Sequence, residues 1–294
     1  MSDALYDVPG PRANARNRIL SVITILVVAA ILAFIIVRFA QTGQFSAQKW
    51  QIFTFPLVWE NVAQATGATL GAFALAGVLS LALGLILSVG RLSEHAWVRI
   101  PVTLFIELFR AIPVLILMMI MYYGLPPLGV DFVTPFVAVV TGLTLYNGSV
   151  LAEVFRSGVE SLPTGQREAA YAIGLRKSGV LTLILYPQAI RAMMPVIISQ
   201  LVVVLKDTAL GFIVTFHELL YLAKFYGSQF TYDAPIIPAT LVFGAIYVVL
   251  CLILSGFAKW VEVRLRRGPG APKGADIART RLEAADGVAA RVLD

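Results

Sequence analysis

Glu107, Arg110, Glu153, Lys206 and Asp207 interrupt or border long apolar stretches of this chain. Placing a charge in such a setting costs at least about 2.5–3.5 kcal/mol for Asp, Lys and Arg on insertion scales. These groups must therefore face protein or water. Glu107 and Arg110 are three residues apart and can pair on one helical face, so both structural pairing and substrate contact are open to them. Lys206 and Asp207 are adjacent and cannot share a face, so at least one reaches toward another helix. With Arg110, Tyr146, Asn147, Ser199 and Gln200 they are candidates for the wall of a translocation pathway. Interhelical hydrogen bonding that only positions a bundle is the competing role for each.

Other chemistry has poor material. One cysteine, Cys251, and two histidines offer neither a disulfide nor a convergent set of nucleophile, base or metal ligands. His217 and Glu218 alone do not make a metal site, and they are expected on a solvated outer face. The chain contains no Gly-x-x-x-x-Gly-Lys-Ser/Thr loop to cradle phosphates. No catalytic and no metal-binding residue is assigned, and any nucleotide chemistry is expected in a separate subunit.

The candidate residues need helices to hold them. Of 294 residues, 59% are hydrophobic and only 14% charged, against about a quarter charged in soluble domains. Apolar runs reach the roughly 20 residues that a helix rising about 1.5 Å per residue needs to cross about 30 Å of hydrocarbon. Barrel strands would alternate instead. The expected fold is all-α, a polytopic membrane helical bundle with about six spans near 18–40, 62–90, 100–124, 135–155, 192–215 and 236–260. The first run follows Arg12, Arg16 and Arg18 but is too long for a signal sequence and lacks a clear cleavage site, so it reads as a retained span. Gly67, Gly71, Gly77 and Gly84 would let neighbouring backbones approach closely.

Charge placement orients these spans. With residues 1–17 as a cytoplasmic tail, the cytoplasmic loops hold Arg91, Arg99, Arg156, Arg167, Arg176, Lys177, Arg191, Arg264, Arg266 and Arg267. The opposite side has mainly Lys49 and Lys224. Basic residues near span ends stay on the cytoplasmic side, so both termini are expected there. The same placement argues against nucleic acid, because the net charge of +6 is concentrated at span ends. Trp50 and Trp59 at outer ends and Trp97 and Trp260 at inner ends suit interface belts, or ordinary packing. Residues 41–61 read as extracytoplasmic, 62–262 as a core, and 263–294 as a flexible cytoplasmic tail with a short helix open to 277–285.

Within the core, the cytoplasmic loop 156–191 contains Leu162-Pro163-Thr164-Gly165-Gln166-Arg167-Glu168-Ala169-Ala170. This reads as a helix of about nine residues, roughly 13 Å long, capped by Thr164 and ended by Gly174. So short a helix is unstable alone. Its small apolar face at Ala169, Ala170 and Ile173, flanked by Arg167 and Glu168, suits either a partner's groove or its own bundle.

Glu168-Ala169-Ala170, Gly174, Ile184 and Pro187 resemble the EAA loop of binding-protein-dependent ABC importer permeases. Phe109-Arg110-Ala111-Ile112-Pro113, Tyr122-Tyr123-Gly124-Leu125-Pro126, Ala152-Glu153-Val154-Phe155-Arg156-Ser157-Gly158 and Lys206-Asp207-Thr208-Ala209-Leu210 resemble the polar amino-acid branch. Including residues 41–61, the arrangement is similar to actinobacterial glutamate-uptake permeases. Ala111-Ile112 replaces a common Gly-Thr, and Ser199 a common Asn, which bears on the local pathway contacts.

The resemblance implies a type I importer core in a bacterial plasma membrane, with Gly165, Arg167, Glu168, Ala169, Ala170 and Gly174 coupling to an ATPase. It further implies two ATP-binding subunits carrying ATP and Mg, a second permease that is paralogous rather than identical, and an extracytoplasmic solute-binding protein. This chain itself would bind no cofactor. The implied substrate is a polar amino acid, glutamate first and glutamine next, moved by alternating access. An ion-coupled secondary transporter is the alternative, with inverted repeats and broken helices at a midplane site. An enzyme or scaffold is a third class.

Overall fold

The computed structural model describes residues 10–266, which are helical almost throughout and contain no strand. Nine helices are labelled here: α1 Pro11–Gln41, α2 Pro56–Arg91, α3 Ala96–Ala111, α4 Val114–Gly124, α5 Pro135–Glu160, α6 Thr164–Ala172, α7 Lys177–Val214, α8 Leu219–Gly227 and α9 Ile236–Arg266. The anticipated C-terminal tail beyond 266, including 277–285, lies outside the described residues, as do residues 1–9.

Helices α1, α2, α5 and α7, and α9 as far as Val261, are each long and apolar enough to cross a membrane. The stretch anticipated as one span at 100–124 is two helices, α3 and α4, bent by 98°. Pro113 lacks an N–H and forces the residue before it out of the helical region, and Ile112 accordingly sits at φ −85°, ψ 124°. α5 continues to Glu160 and α7 begins at Lys177, so the loop between them is residues 161–176. Arginine and lysine end an apolar run but are good helix formers, so Arg156, Lys177 and Arg191 do not stop the helices that contain them.

The chain divides into two compact units, one running to Val62 and including Ala223–Val242, the other comprising Ala63–Leu222 and the chain from Phe243. In the first, α1 buries none of its apolar window, which leaves that surface to hydrocarbon. The segment after α1 packs on the turn around Phe230–Tyr232. Lys49, one of the few basic residues that the sequence places opposite the cytoplasmic loops, is buried, with its ammonium 2.7 Å from the Asp233 carboxylate. Asn61 donates to the Tyr226 hydroxyl at 2.7 Å. The Trp50 and Trp59 indoles donate to the carbonyls of Gln44 and Phe53.

The second unit is built around α5, more than half of whose apolar window is buried (56%). α2 crosses it at glycine. A Cβ at Gly84 would lie 2.8 Å from that of Leu151 and 3.1 Å from the Gly148 carbonyl, and one at Gly148 would strike Leu83. At Gly67 and Gly71, expected to allow such an approach, a Cβ would meet nothing within 4 Å from another element among the described residues. Ala72, Met118, Val139, Leu143, Val204 and Phe216 form one core cluster, and Leu151, Phe155, Val159, Val180, Leu185 and Ile197 another.

Candidate functional site

The short helix α6 follows α5 after Ser161, Leu162 and Pro163. Pro163, rather than Thr164, is the flanking residue, and no side chain caps the start. Thr164 falls inside the first turn because Pro163 already sets an extended backbone (φ −55°, ψ 134°) immediately before it. The other end is closed as the sequence indicates. Gly174 is left-handed at φ +82°, its N–H donates to Tyr171 O at 2.9 Å, and the Leu175 N–H donates to Ala170 O at 3.2 Å. This is the double bond pattern of a Schellman stop, which glycine adopts without a Cβ penalty.

One residue anchors the helix. Ala170 is 2% exposed and packs in the cluster with Phe155, Val159, Val180 and Leu185. Gln188 of α7 adds a brace, donating to the Gln166 side chain at 3.1 Å. Gly165, Gln166, Arg167, Glu168 and Ala169 stay exposed, and Ile173 is 76% exposed. Gly165, Gln166, Ala169, Ala170 and Ile173 line a shallow depression with Ile184 of α7. Among the described residues neither Arg167 nor Glu168 has a hydrogen-bond or ion-pair partner. The α2–α3 turn is tied nearby, with Glu94 3.0 Å from Lys177. The Lys177 hydrogen bond and charge hold the Glu94 carboxyl below the usual range.

The intramembrane candidates separate into two groups. Asn147 is fully buried and accepts from Gln200 at 2.7 Å while donating to Leu143 O at 2.9 Å, so this pair ties α5 to α7. Ser199 donates back to Pro195 O at 2.9 Å. Tyr146 and Asp207 are half-buried, and Lys206 is exposed with no carboxylate within ion-pair distance among the described residues. Glu107 and Arg110 approach to 4.0 Å, while Glu107 is closer, at 3.1 Å, to Arg91. Arg91 also lies 3.5 Å from Glu153, which Arg156 grips through its Nε at 3.0 Å to both oxygens. Arg156 extends to Glu160 at the end of α5.

Glu218 overturns its sequence reading as solvated outer-face charge, because its side chain is completely buried. His217 is exposed as anticipated. The Glu218 carboxylate caps α8, accepting from the Leu220 and Tyr221 N–H groups at 2.8 and 2.7 Å, and from the Tyr247 hydroxyl at 3.2 Å. Tyr247 also contacts Thr208 at 2.9 Å. Burial pushes the Glu218 carboxyl up to about 7, against the opposing pull of these donors. An acidic residue at the start of Leu219-Leu220-Tyr221-Leu222 is consistent with the preference for acids near a helix N-terminus. Arg91 was likewise read only as a loop charge.

An apolar helical bundle with paired charges near span ends, and a short helix fastened by one alanine with its polar face free, is a multi-pass membrane protein. The chain belongs to the family of binding-protein-dependent transport system inner membrane components, whose pattern matches residues 80–267. It is 39% identical over 232 residues to the glutamate transport system permease protein GluD of Corynebacterium glutamicum, covering 77% of this chain and 83% of that protein. It is 32% identical to the probable glutamine ABC transporter permease protein GlnP of Bacillus subtilis, over 64% of this chain and 85% of that one. A solved amino acid ABC transporter superposes with a TM-score of 0.63 at 26% identity, covering 70% of this chain and 94% of that one.

Proposed function

We propose that this chain is the permease subunit of an ATP-driven importer for a polar amino acid, glutamate first, and that α6 is where separate ATP-hydrolysing subunits move it. The carrying observation is the split character of α6. Its rear is locked by Ala170 and the Gly174 stop, while Gly165, Arg167, Glu168 and Ala169 face outward. A short helix held on one side and open on the other is suited to seating in a partner's groove. The similarity to the glutamate permease supports the substrate class.

In this reading both termini and α6 are cytoplasmic, by the distribution of basic residues. ATP and Mg belong to the two partner subunits, and a second, paralogous permease and an extracytoplasmic binding protein complete the importer. ATP-driven closure of the nucleotide subunits pushes α6, and the bundle turns outward. Arg110, Tyr146, Lys206 and Asp207 remain candidates for substrate contact. Asn147 and Gln200 act through their mutual bond, and Ser199 through its turn of α7.

The test is purification with native partners, followed by ATPase and radiolabelled glutamate uptake in liposomes. Glutamate-stimulated hydrolysis coupled to uptake is expected. The 98° break between α3 and α4 is a feature that an ion-coupled carrier with a discontinuous helix would share. Glutamate uptake driven by an ion gradient, with no ATPase recovered, would therefore replace this reading with that one.

A further inference from the structure

We infer that Arg91 is a positioning residue for transport, a releasable staple through which motion of the coupling-helix stem reaches the broken span. The inference rests on the importer reading above. Three guanidinium groups, Arg91, Arg110 and Arg156, alternate with three carboxylates, Glu107, Glu153 and Glu160. The pairs Arg110–Glu107, Arg156–Glu153 and Arg156–Glu160 each lie within one helix, at spacings of three or four residues. Among the described residues only Arg91 makes ion pairs between helices in this cluster, 3.1 Å from Glu107 of α3 and 3.5 Å from Glu153 of α5, while Arg110 of α3 attracts Glu153 from beyond ion-pair distance.

Its two partners occupy mechanically distinct places. Glu153 is joined through Arg156 to Glu160, the last residue of α5 before the short link to α6. Glu107 shares α3 with Arg110, close to the Ile112–Pro113 break. Arg91, at the carboxyl end of α2, is favoured there by the helix dipole. A displacement of α6 that pulls on the end of α5 therefore has an electrostatic connection, through one guanidinium, to the bend that separates α3 from α4.

The staple is not needed to hold these helices together. Leu87 of α2, Ile106 of α3 and Ala152 of α5 form a buried apolar cluster of their own, and Gly84 meets Leu151 in close packing. The Glu107 side chain is 54% exposed, whereas Arg91 and Glu153 are 18% and 25% exposed, so the pair with Glu107 contributes little net stability and is the one to release. It also breaks and re-forms cheaply. Without Arg91 the pairs within each helix survive and the ion pairs between helices are cut, leaving only the longer-range attraction of Arg110 for Glu153, which distinguishes a transmitting role from a folding role.

The test uses the full importer with its native ATPase and binding protein in liposomes, comparing wild type, Arg91→Gln and Arg91→Lys. Arg91→Gln is expected to assemble normally but to lose at least about tenfold in glutamate uptake, and its ATPase is expected to lose stimulation by the glutamate-loaded binding protein, because that response needs the connection. Arg91→Lys keeps a charge but not the fork that reaches two carboxylates, so it is expected to recover part of both. An active wild type with Arg91→Gln equally coupled overturns this inference alone. Failure of both variants to assemble also overturns it, since the staple would then serve folding. A wild-type complex without ATPase overturns the importer reading and this inference together.

Discussion

Two polar clusters near span ends differ in how their charge is balanced. Around Arg91 every carboxylate meets a guanidinium, and the participating side chains retain between 18% and 54% exposure. Around Glu218 no cation takes part among the described residues. A fully buried carboxylate is held by two backbone N–H groups and one tyrosine hydroxyl. Partly exposed ion pairs with alternative partners lose less by changing geometry than fully buried ones. A buried acceptor with directed donors cannot leave without orphaning them. The first cluster is built to rearrange and the second to brace.

The sharpest way to break this contrast is Glu218→Ala. It strands the Leu220 and Tyr221 donors and the Tyr247 hydroxyl, and should cost about 3 kcal/mol, seen as a lowered unfolding midpoint of the detergent-purified complex. A change no larger than that of an exposed acid such as Glu168→Ala would remove the distinction.

The brace also carries a pH signature. Glu218 titrates near 7 in the folded chain against an ordinary value of 4.5, so the folded state holds the proton more tightly. Stability from this group is present below about pH 4.5 and is lost as pH rises toward 7. Between pH 5.5 and 8 the loss should be roughly 2 kcal/mol, and Glu218→Gln should flatten that part of the profile of unfolding midpoint against pH.

How much of this was legible in the sequence depends on whether the signal is local. The apolar runs announced the helical bundle, since crossing hydrocarbon demands length and composition that residues 19–37 or 236–260 display directly. The stop of α6 at Gly174 was equally visible, because a left-handed residue after a short helix calls for glycine. Helix bounds were not, as Arg156 and Lys177 mark the end of apolarity while the backbone continues. The bonding of Asn147 with Gln200 joins residues far apart in the chain, and adjacency in sequence says nothing of it. Glu218 was misjudged because its neighbours in sequence include exposed His217, whereas Tyr247, which encloses it, comes from α9. Arg91 was missed for the same reason, its partners lying on two other helices.

A smaller effect separates the two sides of α6 itself. Ala170→Leu adds three carbons where the alanine already touches its cluster, and overpacking of this kind costs about 1–3 kcal/mol. The midpoint should fall, and uptake should fall with it. If Ala170→Leu is tolerated, the helix is not anchored at that point.

The smallest stability change should accompany one of the largest losses of transport. Ala169 and Glu168 are exposed, and Glu168 has no partner among the described residues, so Ala169→Trp or Glu168→Arg should shift the unfolding midpoint of the isolated permease by less than about 0.5 kcal/mol. In the assembled importer the same changes place bulk or reversed charge on the face proposed to receive the ATPase. Uptake should drop by about tenfold or more, together with the amount of ATPase that copurifies. Loss of ATPase from the complex separates these variants from Arg91→Gln, which should keep the subunit and lose the response. If Ala169→Trp instead retains both ATPase and uptake, the free face of α6 is not where the force enters, and the difference between a moving end and a braced end loses its cause.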